Sequence, residues 1–146
     1  VSIDLIEDHR ELLQLSEALL TSLRRSPPAT GEEIAQMRAN LGKRAAQHLL
    51  AEDSQIVRPL FATGRIHELP DAEAAITTMR QSRARYSNHV GQWTPQAIEA
   101  DRPGYLDALI EIVRALRELF AIEEKDLYWP AARLLLEDAT KPRPNS

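Results

Sequence analysis

Five side chains able to bind a metal or carry a proton fall where an apolar residue would be expected: His9, His48, Glu52, His89 and Glu123. Stepping by three and four from Leu5 to Leu12 lands on His9. The path from Ala45 to Ile56 passes through His48 and Glu52, and a third path runs Tyr86, His89, Trp93. From Phe120 to Leu127 the path crosses Glu123. Burying an unpartnered carboxylate or imidazole costs several kcal/mol for an ion. Five such groups must therefore satisfy one another. A hydrogen-bonded network would do so, and a metal ion would do so more completely, because it accepts imidazole nitrogen and carboxylate oxygen together. The remaining chemistry-bearing patterns are absent: no Ser-His-Asp arrangement, no glycine-rich phosphate loop and no dinucleotide fingerprint.

Four segments with a 3.6-residue period must position these groups. Segment A runs from about Ser2 to Arg25 and is stopped by Ser26-Pro27-Pro28. Segment B opens at Thr30, a candidate N-cap with Glu33 three residues on, and reaches Leu60. Gly64 and Pro70 bracket the next loop, segment C starts at Asp71, and Pro95 ends or kinks it. Segment D follows Pro103 and runs through Leu134. No useful run alternates with period two, and no repeat of about 33 to 47 residues appears. The expected fold is all-α, an antiparallel up-down-up-down four-helix bundle over residues 1–140, with residues 141–146 a disordered tail.

Depth along the helices supports a shared site. His9 lies sixteen residues before Arg25, and His48 seventeen after Gly31. At about 1.5 Å per residue both sit roughly 25 Å from the A–B turn, so in an antiparallel pair they meet at one level. His48 and Glu52 are one turn apart on one face. The chain also echoes itself at an offset of 71 residues: His48 to Leu119, Glu52 to Glu123, Pro59 to Pro130. Matching ligands on paired helices are a common way to build a bundle metal site.

Composition narrows the function classes. There is no cysteine, which excludes disulfides and thiolate chemistry. No run approaches the roughly 18 apolar residues of a membrane span, and no basic, apolar leader precedes segment A. The expected setting is cytoplasmic, with no membrane partner. A net charge of −4 with mixed signs argues against nucleic acid. The short basic clusters Arg24-Arg25 and Arg80 to Arg85 read as helix surface, His67 as a loop histidine, and Tyr128 and Trp129 as packing.

Asp8-His9, His48-Leu49-Leu50-Ala51-Glu52-Asp53, Asn88-His89 and Glu123-Glu124-Lys125-Asp126-Leu127-Tyr128-Trp129-Pro130 together resemble the hemerythrin-like (HHE cation-binding) family, from His9 to about Leu136. The resemblance implies a four-helix bundle around a non-haem di-iron centre, with His9, His48, Glu52, His89 and Glu123 as ligands. Tyr86 and Glu124 are further candidates, the latter as a partner to a ligand histidine. One metal position, formed by His9, His48, Glu52 and Glu123, is complete. The other lacks a histidine, because Leu119 stands where the fourth helix should carry one, and Trp93 follows His89 where oxygen-carrying members have a second histidine. The implied cofactor is iron, as a pair or a single ion, with zinc as the alternative. The implied function is to sense, bind or buffer iron, dioxygen or nitric oxide. No catalytic residue is assigned and no enzyme activity is claimed. The rival is a metal-free or zinc-stabilised helical module that binds a partner protein.

Overall fold

The computed structural model describes residues 3–141, so most of the expected tail lies outside the described residues. Every regular element among the described residues is helical. Helix α1 (Ile3–Arg24) is followed by α2 (Gly31–Glu52), a π-helical segment (Asp53–Val57) and the short α3 (Arg58–Ala62). After a 3₁₀ turn at Ile66–Glu68 come α4 (Pro70–Gln92), α5 (Pro95–Ala100) and α6 (Arg102–Ile122). A second π-helical segment (Glu123–Tyr128) leads into α7 (Trp129–Thr140). No described helix is long and apolar enough to cross a membrane.

Local sequence accounts for the breaks. Thr30 caps α2 by accepting the Glu33 N–H at 3.2 Å, as the expected capping box requires. The Glu33 carboxylate reaches back to Thr30 and also pairs with Arg25, tying the end of α1 to the start of α2. Gly64 takes a positive φ of 68°, a conformation open to glycine, and turns the chain toward α4. Pro95 does more than stop α4: with Thr94 accepting the Ala97 N–H it starts a one-and-a-half-turn helix that periodicity alone did not resolve. Asp101 then caps α6 through the Gly104 N–H.

The π segments occupy corresponding places in the internal echo. Each begins at or one residue after a buried glutamate, and each is followed by a proline, Pro59 or Pro130. A proline inside a helix has no N–H to donate, and its ring crowds the carbonyl four residues back. Widening to i→i−5 bonding relieves that crowding, as where the Arg58 N–H donates to the Asp53 carbonyl.

Helix α1 packs on α2 and α6, while α4 packs on α6 and on the second π segment. The interior divides into two cores. One gathers Leu5, Leu12, Ile56, Leu60, Met79, Leu127 and Tyr128. The other gathers Leu19, Ile34, Ile98, Tyr105, Leu109 and Val113. Burying each such aliphatic side chain contributes about 1.5–3 kcal/mol.

Candidate metal centre

The first core contains a polar cluster. His9, His48, Glu52 and Glu123 are all buried, at 0–3 % exposure. Each offers one ligand atom, and those atoms lie within 4.8 Å of one another. One helical turn brings His48 and Glu52 together, with Nε2 to Oε2 at 3.4 Å. Across the core, His9 Nε2 lies 3.1 Å from Glu123 Oε2.

Both imidazoles are held from behind. His9 Nδ1 meets Glu124 Oε2 at 2.8 Å. His48 Nδ1 meets Asp8 Oδ2 at 2.9 Å, and Asp8 is itself paired to Arg44, which also reaches Glu11 at 2.9 Å. A carboxylate on Nδ1 favours the tautomer protonated there and leaves Nε2 as a lone pair facing the cluster. The arrangement is crossed: Asp8 and Glu124 each sit beside one cluster residue in sequence and orient another from a different helix. Phe120 stacks flat on the His9 ring at 4.0 Å and 6°, fixing its plane.

Tyr128, read from sequence as packing, is fully buried with its hydroxyl in the middle of the four groups. It donates to Glu52 and lies 2.9 Å from Glu123 Oε2, 3.1 Å from His9 Nε2 and 3.5 Å from His48 Nε2. In a regular α-helix a residue five positions after Glu123 would point about 140° away from it. The i→i−5 bonding of the π segment returns Tyr128 to the same face, so no count by 3.6 could have found it. The available signal was the proline at 130 behind an acidic run.

The charges are strongly interdependent. Burial favours a neutral Glu52, but hydrogen bonds from His48, Glu123 and Tyr128 outweigh it and bring its carboxyl down to about 2. Burial and the adjacent Glu52 push Glu123 well above the carboxylate range, which favours its protonated form. For His48, burial works against the charged form, yet bonding to Glu52 and Asp8 raises its pKa. In His9 burial prevails over Glu124 and lowers it. Burial and the neighbouring glutamates raise Tyr128, keeping its proton on.

The remaining candidates sit elsewhere. Glu124 touches His9 but is one-third exposed, as a partner rather than a member of the cluster. Tyr86 is partly buried and lines a cavity beside His48 and Glu123. His89 is not brought to the cluster. It stacks on Tyr105 of the second core at 5.9 Å, and burial together with Arg38 and Arg85 lowers it to about 4. On α4 the residues beside His48 and Glu123 are Met79, Ser82, Arg83 and Tyr86. His89 lies six residues past Arg83, about 9 Å along the axis. The depth of this helix was the loosest part of the sequence reading, because Pro95 left its end undefined. Arg83, read as surface, places Nη2 3.6 Å from Glu52 Oε1.

Two imidazole nitrogens and two carboxylates from α1, α2 and the start of the second π segment form a donor set suited to zinc or iron. Glu52 Oε1 is buried without a hydrogen-bond partner among protein atoms, so the carboxylate retains unused donor capacity. No family model, no curated protein and no solved structure matches this chain.

Proposed function

We propose that the chain is a hemerythrin-like metal-binding protein, an antiparallel up-down-up-down four-helix bundle that holds a non-haem ion through His9, His48, Glu52 and Glu123. The observation that carries this reading is the pair of oriented imidazoles. Asp8 and Glu124 fix both rings with Nε2 turned toward the same two buried carboxylates. A protein that needed only hydrogen bonds there has little use for such backing, whereas ligand histidines regularly have it. Bound iron would supply a centre for dioxygen or nitric oxide, and the protein would sense, bind or buffer those species or the metal itself. Zinc is the alternative ion. A single ion is favoured over a pair, because the cluster gathers one set of four donors and leaves His89 outside it.

One observation favours the rival, a metal-free interaction module. The Tyr128 hydroxyl already bridges the cluster and partners both glutamates. Elemental analysis of freshly purified protein separates the two readings. About one equivalent of metal, lost in His48→Ala, supports the metal site, and its absence from wild type and variant alike rejects it. Loading should also raise the melting temperature, since a ligand bound only by the native state stabilises it.

A further inference from the structure

Beside the cluster lies a cavity of about 70 Å³. Its walls are mostly apolar, with Leu12, Leu41, Ala45 and Met79 among them, and His48, Glu123 and Arg83 reach its edge. At 10–15 Å³ per water-sized group, that is room for roughly five non-hydrogen atoms. At this edge the donor Arg83 Nε has no hydrogen-bond partner among protein atoms, and neither has the buried acceptor Glu52 Oε1 that Arg83 approaches. Arg83 keeps 36 % of its side chain in solvent while its guanidinium reaches Glu52, so it stands at the mouth with its charge turned inward.

We propose that this cavity is a binding site for a short-chain monocarboxylate of about propionate size, its head against Arg83 and its alkyl tail among the leucines and Met79. The inference rests on the metal-site reading above. With a divalent ion on ionised Glu52 and Glu123, those two charges are consumed, and the guanidinium of Arg83 loses the carboxylate that balanced it. Asp8 is already committed to Arg44 and His48, and Glu124 faces His9 from the far side. A positive charge at the mouth of an apolar cavity then attracts an anion to it. The guanidinium presents parallel N–H donors that match a carboxylate in a way a single-point anion does not use. The apolar walls favour a ligand with a hydrocarbon tail over chloride, and the volume excludes long chains.

The test titrates sodium propionate into zinc-loaded and metal-free protein by calorimetry, with sodium chloride at equal ionic strength as control. The methyl resonance of Met79 reports the location. Wild type loaded with zinc should bind one propionate and shift the Met79 signal. Losing a charged hydrogen bond should weaken binding about tenfold or more in Arg83→Gln, with Arg83→Lys intermediate. Ala45→Leu, which fills the cavity and keeps Arg83, should weaken propionate more than formate. The proposal is overturned if zinc-loaded wild type binds no propionate, if Arg83→Gln with its metal in place binds as well as wild type, or if chloride competes equally. A chain that takes up neither zinc nor iron overturns the metal-site reading instead, an outcome the metal stoichiometry reveals before any propionate is added.

Discussion

Replacing His89 with Gln tests both the placement of α4 and the electrostatics of the second core. His89 is 8 % exposed, stacked on Tyr105, with Arg38 of α2 and Arg85 of its own helix as the nearby charges. Burial disfavours the charged ring first, and both cations add to it, so the imidazole pKa is lowered from 6.5 to about 4. Between those values the unfolded chain binds a proton that the folded chain refuses. Stability must therefore fall as pH drops through 6.5, and the loss must level off below about 4. At about 1.36 kcal/mol per pKa unit the full loss approaches about 3 kcal/mol. Glutamine does not titrate, so His89→Gln should show a roughly constant offset from wild type above pH 7. Wild type should then lose about 3 kcal/mol more than the variant on going to pH 4. Urea unfolding of the metal-free proteins at half-unit pH steps gives the difference curve, in which the other titrating groups cancel. A flat difference curve would refute the burial and charge environment assigned to His89. Loss of bound metal in the variant would refute its placement away from the cluster.

Three further outcomes follow from the cluster. Asp8→Asn keeps the size of the side chain but weakens the hold on His48 Nδ1, and metal affinity measured by chelator competition should fall about 10–100-fold. Tyr128→Phe removes the hydroxyl shared by Glu52 and Glu123, so the metal-free protein should lose about 1–3 kcal/mol in denaturant melts; an equal loss in loaded and metal-free protein would show that the hydroxyl does not stand in for the ion. Leu119→His places a histidine one turn before Glu123 on the cavity wall. Its metal-free form should be less stable by about 1–3 kcal/mol for the buried imidazole, and added iron should raise both its metal content and its melting temperature more than it does for wild type.

The helical class and the four cluster residues were legible because both follow from a 3.6-residue period. His9 and His48 fall at one level by simple counting from the A–B turn, and Glu52 follows His48 by one turn. Glu123 falls on the stripe from Phe120 to Leu127, and the echo of Glu52 supports it. What stayed hidden has identifiable causes. Tyr128 faces inward only because the backbone changes its bonding pattern after Ile122. Arg83 belongs to a run of arginines that sequence alone reads as solvated surface, and only the packing of α4 shows which of them points at Glu52. Asp8 stood next to a predicted ligand, but its partner is the histidine of another helix, a relation with no trace in local spacing. His89 shares the apolar stripe of its helix and was placed by stripe rather than by depth. A stripe says which side of a helix is buried and nothing about which core it meets.

The π-helical segments have a further consequence for how this protein could change. Such a segment amounts to a regular helix carrying one surplus residue. Removing one residue from the Lys125–Asp126 region would let the backbone return to α-helical bonding across Glu123–Tyr128. Tyr128 would then follow Glu123 by four positions, about 40° from it, and would stay on the cluster side. The helix beyond would keep its facing, so Ala131 and Leu134 would stay buried. Holding the present length while forcing α-helical bonding does the opposite: Tyr128 and everything after it would turn by about 100°. The phenol is therefore tolerant of losing the surplus residue and sensitive to losing the wide turn that absorbs it. Relatives of this chain could carry all four cluster residues and the same phenol on an unbroken α-helix, with one residue fewer before the proline.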